Sequence, residues 1–274
     1  MYVDSRPNGV QRRAQLRLCD HAAVHRIRSI TAPNPGPFTL DGTRTYLIDD
    51  HIVLDPGPAI DSHVDAIRDA LPHLDTILIT HRHADHAPAA IPLKRSTRAR
   101  IVAPRGVLDE TDHIVNDGDV VDDIEVIATP GHTNEHVCYL TSAGDLFTGD
   151  TILGFGTTAI FPPDGNMADY LRSLHKLRAK NPRRIFPAHG PTRDDAVALI
   201  DEYIAHRLDR ELQVIDALRD GARTIIDMRK AIYRDLDARL QGGAEVQLMA
   251  HLIKLRDEGR VVERDGGWTL ENLR

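Results

Sequence analysis

Hydrophobic positions along the first 190 residues fall mostly into short runs that read as strands. Arg26-Ile27-Arg28-Ser29-Ile30 alternates like a half-buried strand. Thr45-Tyr46-Leu47-Ile48 and His51-Ile52-Val53-Leu54 flank Asp49-Asp50 and predict a hairpin. Between these, Thr31 to Pro37 holds three prolines and a glycine and reads as a loop. Val64, Ile67 and Leu71 recur at helical spacing over 61–72. Further strands are expected at 76–80, 101–103, 124–128, 137–140, 146–148 and 184–186. A helix is expected over 168–180, where Leu171, Leu174 and Leu177 form one stripe.

The texture changes after about residue 192. Residues 194–220 carry a long, highly charged helical pattern. Residues 222–274 predict three helices, a strand Gly259–Arg264, a turn at Asp265-Gly266-Gly267 and a strand from Trp268. Helices closed by a two-stranded hairpin resemble a winged-helix module. The reading is therefore an α/β domain over 1–210 and a winged-helix-like domain over 211–274.

Composition narrows the classes. The 274 residues are 41% hydrophobic, enough for a sizeable core. Aromatics are only 4% and the net charge is −7, which argues against a nucleic-acid stacking platform and against bulk attraction to polyanions. No stretch of about 18 apolar residues predicts a membrane span. The start has no apolar segment typical of a secretion signal. Cys19 and Cys138 are isolated, so a disulfide framework or cysteine metal site is not expected. A reducing cytoplasm is the expected compartment.

Histidine is the outlier, with fifteen residues. Four metal-type side chains crowd into Thr80-His81-Arg82-His83-Ala84-Asp85-His86, directly after an apolar strand. In extended backbone, residues two apart point the same way, so His81 and His83 can converge on one cation. Asp85 and His86 follow as the chain turns and can face a second. Further donors are expected at the ends of other strands: His132 after Thr129-Pro130-Gly131, Asp150 after Gly149, and His189 before Gly190. The neighbouring glycines permit sharp turns that aim each side chain. Imidazole and carboxylate are the zinc donors when cysteine is absent. His21, His25, His51, His63, His73, His113, His175 and His251 are expected to be surface or hydrogen-bonded residues.

On these residues the chain resembles the metallo-β-lactamase-fold hydrolases. The family's HxHxDH motif matches His81, His83, Asp85 and His86, and its later single ligands match His132, Asp150 and His189. The resemblance covers roughly 25–192 and implies an αββα sandwich with two metals, zinc foremost, at one edge. It implies that His81, His83 and His132 hold one metal, that Asp85, His86 and His189 hold the other, and that Asp150 bridges. Asp55 matches an early Asp-x-Gly turn whose Asp supports a ligand more often than it binds metal. Iron or manganese would also suit such donors.

Several segments are similar to the branch that includes the mitochondrial lactamase-like endoribonuclease. They are Asn34–Thr43, Gly154–Thr158, the helix with Tyr203, His206 and Arg207, and the terminal module. Gly156, Thr157 and Thr158, with His206 and Arg207, become candidate substrate contacts on that resemblance. The solvated face of a charged helix is the plainer reading of His206 and Arg207. Two departures stand out. Arg44 occupies a position where the branch has Asn, and Ala87-Pro88-Ala89-Ala90 replaces a glycine-rich stretch.

The expected chemistry is hydrolysis by a metal-activated water, with Asp85 orienting it and carrying its proton. Single-stranded RNA is the substrate that the branch implies. A small-molecule ester, thioester or lactam is the alternative, and the acidic net charge favours it. A nucleic-acid-binding regulator is the third reading. Residues 222–274 hold ten Lys or Arg against nine Asp or Glu, without a basic helix. Packing, dimerisation or a pocket wall is thus the expected use of the module, and a homo-oligomer stays open.

Overall fold

The computed structural model describes residues 24–271. Cys19, His21 and the reading of the N-terminal start lie outside them. Strands β1 (Ile27–Thr31), β2 (Arg44–Ile48), β3 (Ile52–Leu54), β4 (Thr76–Leu78), β5 (Arg100–Ala103) and β6 (His113–Ile114) form one sheet in sequential order. The second sheet has the order β11 (Arg184–Pro187), β10 (Asp145–Gly149), β9 (Val137–Thr141), β8 (Ile124–Ala128), β7 (Val120–Val121). Helices α1 (Asp61–Ala70) and α2 (Ala90–Thr97) belong to the first half. Helices α3 (Met167–Ala179) and α4 (Ala196–Arg219) belong to the second.

Strand alternation builds the layers. Tyr46, Ile48, Ile52, Leu54 and Leu78 of the first sheet meet Val126, Tyr139, Phe147 and Phe186 of the second in one buried cluster. The intervening residues Leu47, Val53 and Ile77 turn outward and pack under Val64 and Ile67 of α1 and Leu93 of α2. On the far side, Ile127, Cys138, Leu146 and Ile185 pack under Tyr170, Leu174 and Leu177 of α3 and Ile200 and Tyr203 of α4. The result is an αββα sandwich in which both sheets are covered on both faces.

The remaining chain forms α5 (Ile225–Ile232), a single 3₁₀ turn at Ala238–Leu240, α6 (Gln241–Asp257) and the hairpin β12 (Val261–Arg264) with β13 (Gly267–Leu270). The middle of the three expected helices is therefore only that short turn. Helix α5 starts with a capping box in which Thr224 and Asp227 satisfy each other's backbone. Met228, Leu248, Leu252, Leu255, Val261 and Trp268 form the small core, joined by Val214, Ile215 and Leu218 from the second half of α4. One helix thus runs through residue 210 and serves both cores. Among the described residues no helix is long and apolar enough to cross a membrane.

The topology places the expected ligands together. Strand β10 pairs parallel with β11, and β9 pairs antiparallel with both β8 and β10. Strands β8, β10 and β11 therefore point the same way, and their C-terminal ends share one edge. The loop after β4 joins that edge through the Val137 N–H, which donates to the Thr80 carbonyl at 3.0 Å.

Candidate metal centre

Seven side chains meet at this edge. The ring nitrogens His81 Nε2 and His83 Nδ1 are 2.9 Å apart, and His83 Nδ1 is 3.1 Å from His132 Nε2. Asp150 Oδ2 lies 3.5 Å from His132 Nε2. On the other side, His189 Nε2 is 3.2 Å from both Asp85 Oδ2 and Asp150 Oδ1. His86 Nε2 is 3.4 Å from the same two oxygens. The two Asp150 oxygens thus face different groups of donors. Tetrahedral bonds of about 2.05 Å put neighbouring donor atoms roughly 3.3 Å apart, close to these separations. His81, His83, His132 and Asp150 form one group able to hold a metal ion, and Asp85, His86 and His189 form a second.

The polar atoms themselves fit cations. His86 Nε2 and Asp150 Oδ1 are buried and make no hydrogen bond. Such atoms are costly unless something charged or polar meets them. Burial pushes the His81 and His83 imidazoles below the usual histidine range, and nearby imidazoles push the same way. Neutral imidazole is the form that binds a metal. Burial opposes charge on His86, yet Asp150, Asp55 and Asp85 outweigh it and hold its pKa well above the usual range. His189 is likewise raised to about 9 despite burial, mainly by Asp150. Burial also opposes ionisation of Asp85 and Asp150, but His86 and His189 prevail and hold both carboxyls below the ordinary range. The carboxylates therefore draw positive charge to this side of the site.

Surrounding residues aim the donors. Asp55 is fully buried and accepts from the Thr80 N–H and hydroxyl at 2.8 Å each. Its Oδ2 also lies 2.9 Å from His86 Nδ1, which leaves Nε2 to face the cluster. His132 Nδ1 lies 2.8 Å from the Ala159 carbonyl and is fixed in the same way. Thr43 donates to Asp85 Oδ2 at 3.2 Å. Such contacts set the tautomer and orientation of metal-binding side chains.

Sequence reasoning missed His136. This ring is 1% exposed, sits 4.9 Å from the His81 ring, and accepts the Asp150 N–H on Nε2 at 3.2 Å. Its Nδ1 lies 2.9 Å from Thr129 Oγ1 and 3.2 Å from Thr151 Oγ1. A Cβ on Gly149 would stand 2.8 Å from His136 Nε2 and 2.6 Å from Thr80 Oγ1, at a backbone φ of +48°. Only glycine lets β10 end there with Asp150 turned into the cluster.

A cavity of about 760 Å³ opens on the cluster. His83, Asp85, His132, Asp150 and His189 form its floor, and Phe38, Leu40, Leu153, Phe155, Phe161 and Leu240 supply much of its wall. Gly156, Thr157 and Thr158 line it. His206 and Arg207 do not; they line an adjoining pocket. His206 is exposed, whereas Arg207 is only 2% exposed and does not lie on a solvated face. Its guanidinium reaches back to Thr157 and Thr158, which turns that side of α4 inward. Tyr203 exchanges hydrogen bonds with the Leu153 backbone and fixes the same wall. Arg44 donates from Nε to the Gly190 carbonyl at 2.6 Å and pairs with Asp41 at 2.9 Å, so it braces the His189 loop outside the cavity. His251 also departs from expectation, since it is buried with neither ring nitrogen hydrogen-bonded.

Comparison with known proteins decides the family. The metallo-beta-lactamase superfamily model matches residues 38–111 and 104–189. The chain belongs to that superfamily. The beta-lactamase associated winged helix domain matches residues 224–268. The chain is 37% identical to a beta-lactamase-like protein 2 homolog of Caenorhabditis elegans, over 76% of this chain and 77% of that one. It is 30% identical to an atrochrysone carboxyl ACP thioesterase of Aspergillus novofumigatus, over 72% of this chain and 64% of the relative. Among solved structures, a beta-lactamase domain protein of Burkholderia ambifaria shares the fold with a TM-score of 0.76. It is 23% identical and covers 89% of this chain and 91% of its own. The chain is a metallo-beta-lactamase-fold hydrolase with a C-terminal winged-helix domain.

Proposed function

We propose that this hydrolase cleaves an ester or thioester of a largely apolar organic acid. The observation that carries the reading is the cavity wall. Phe38, Leu40, Leu153, Phe155, Phe161 and Leu240 surround the approach to the cluster. Among the described residues none that lines it is Lys or Arg. A phosphodiester backbone needs cations along its track, and the net charge of −7 offers no general attraction. The thioesterase relative supports the same reading. Leu240 makes the winged-helix domain part of the substrate wall.

Two divalent cations, zinc in this reading, would be held by His81, His83, His132 and Asp150 and by Asp85, His86, His189 and Asp150. When bound, they supply Lewis-acid chemistry that acidifies water and polarises the scissile carbonyl. Asp85 lines the cavity floor and is partly exposed. Its carboxylate faces the space where the attacking water would lie, so it can orient that water and pass its proton to the leaving sulfur or oxygen. Thr43 and His189 hold that carboxylate in place. The apolar wall positions the acyl group and excludes bulk water.

The test is turnover by the metal-loaded chain of an aromatic acyl thioester, the matching oxygen ester, a lactam and single-stranded RNA. The thioester or ester is expected to be the best substrate. His83→Ala is expected to lose about a hundredfold or more of that activity. Full activity in His83→Ala would sink the metal mechanism. Cleavage of RNA alone would return the substrate to the phosphodiester class.

A further inference from the structure

Beside the metal cavity lies a second pocket of about 370 Å³, at the seam between the sandwich and the winged-helix domain. The two share Phe38, Thr157, Thr158, Ala159, Phe161 and Leu240 as a common wall. Arg207 and Arg210 of α4 line the second pocket, with Tyr233 and Gln247 facing them from the C-terminal domain. Among the described residues none that lines it is Asp or Glu.

Arg207 is nearly fully buried, yet it touches only neutral acceptors. Nη1 donates to Gln247 Oε1 at 3.2 Å, and Nη2 donates to Thr157 Oγ1 at 2.9 Å and to the Thr158 carbonyl. Arg210 lies three residues on, on the same side of the helix. It donates to Gln213 at 2.7 Å and stacks 4.2 Å over the Tyr233 ring. The Nε of each arginine is buried without a hydrogen-bond partner. Among the described residues neither guanidinium has a carboxylate beside it. Buried cations are normally paired, because an uncompensated charge is costly to bury. A strut between Thr157 and Gln247 accounts for the Nη atoms of Arg207. It leaves the Nε of each arginine without a partner and half-buried Arg210 without a carboxylate.

We infer that this pocket binds a phosphate monoester on the substrate, at the end remote from the scissile carbonyl. Two guanidiniums match the double charge of phosphate; Arg210 supplies donors for its oxygens, while Arg207, held by Thr157, Thr158 and Gln247, adds charge. Exposed His206 at the pocket edge adds a further donor. Both pockets border Thr157, Thr158, Ala159 and Phe161, and one bent molecule would span them along this segment. Calling the ligand a substrate group rests on the ester or thioester reading above; phosphate binding by the arginines does not.

The experiment uses the full metal-loaded chain and three thioesters of one aromatic acid. Their thiol portions end in phosphate, in carboxylate or in a neutral amide. The phosphate form is expected to exceed the neutral one by about tenfold or more in kcat/KM, through KM. Arg210→Ala should bring that ratio close to one, and Arg210→Lys should keep part of it. Equal rates on all three, a preference for carboxylate, or an unaltered ratio in Arg210→Ala would overturn the inference. If no thioester is turned over, the hydrolase reading fails on its own, and calorimetry with inorganic phosphate decides the pocket. Binding should then persist in His83→Ala and weaken about tenfold in Arg210→Ala. The opposite pattern, binding lost in His83→Ala and kept in Arg210→Ala, would assign phosphate to the metal cluster instead.

Discussion

At the scale of single residues, the site depends on side chains that bind nothing themselves. His136 is the sharpest case, because its Nε2 accepts the backbone N–H of Asp150, whose two oxygens face both donor groups. His136→Ala removes that acceptor and leaves the Thr129 and Thr151 hydroxyls beside a void. Metal affinity is expected to fall about 10- to 100-fold, read by titration against a competing chelator. His136→Gln should recover part of it, since the amide oxygen can accept the same N–H. Wild-type affinity in His136→Ala would remove His136 from the positioning of Asp150. The residue was invisible in the sequence for a physical reason. It precedes the buried run Val137-Cys138-Tyr139-Leu140 and looks like part of it. The seven candidate donors were readable because four crowd into one short segment after a strand, and His132, Asp150 and His189 each follow a strand with a glycine beside them. Asp55 was readable from its Asp-Pro-Gly turn, but its grip on Thr80 and His86 is tertiary.

At the scale of elements, α4 carries the unusual burden. Its first half packs Leu199, Ile200 and Tyr203 against the second sheet, while Val214, Ile215 and Leu218 complete the winged-helix core. A division between residues 210 and 211 therefore falls inside a continuous helix. Its charged sequence hid the inward turn of Arg207, because a long charged side chain at helical spacing looks the same whether its head meets water or a neighbouring loop. The two-residue strands β6 and β7 were equally unreadable, since a period of two needs several residues to declare itself. Leu208 is 45% exposed near the middle of α4 and permits a clean test. Leu208→Pro removes a helix hydrogen bond and clashes with the preceding turn, at a cost of about 3 kcal/mol or more. Leu208→Ala should stay within about 0.5 kcal/mol of wild type. Urea unfolding measures both. Equal stability of the two variants would mean that the halves of α4 do not act as one element.

At the scale of the whole molecule, the seam between the two domains gathers positive charge and links stability to pH. His251 of α6 is fully buried there, and neither of its nitrogens has a hydrogen-bond partner. Burial, then Arg207, Lys254, Arg210 and His206, push its pKa down to about 3. The unfolded chain restores an ordinary histidine near 6.5. Below that value the unfolded state takes up a proton that the folded state refuses. Stability contributed at this position is therefore intact above about pH 6.5 and declines as pH falls toward 3. Each pH unit in that window costs about 1.4 kcal/mol, so roughly 2 kcal/mol is lost by pH 5. Other groups titrate in the same range, His63 among them, whose pKa burial also lowers. The decisive quantity is consequently the difference between wild type and His251→Leu. Leucine fills a similar space without an unpartnered nitrogen, so the variant should match or exceed wild-type stability at pH 7.5. Its advantage should then grow by roughly 2 kcal/mol between pH 7.5 and pH 5, measured by urea unfolding at each pH. A constant difference across that range would mean that His251 exchanges protons freely in the folded state. The seam would then be open to water, and the charge held at Arg207 and Arg210 would be solvated rather than directed at a ligand.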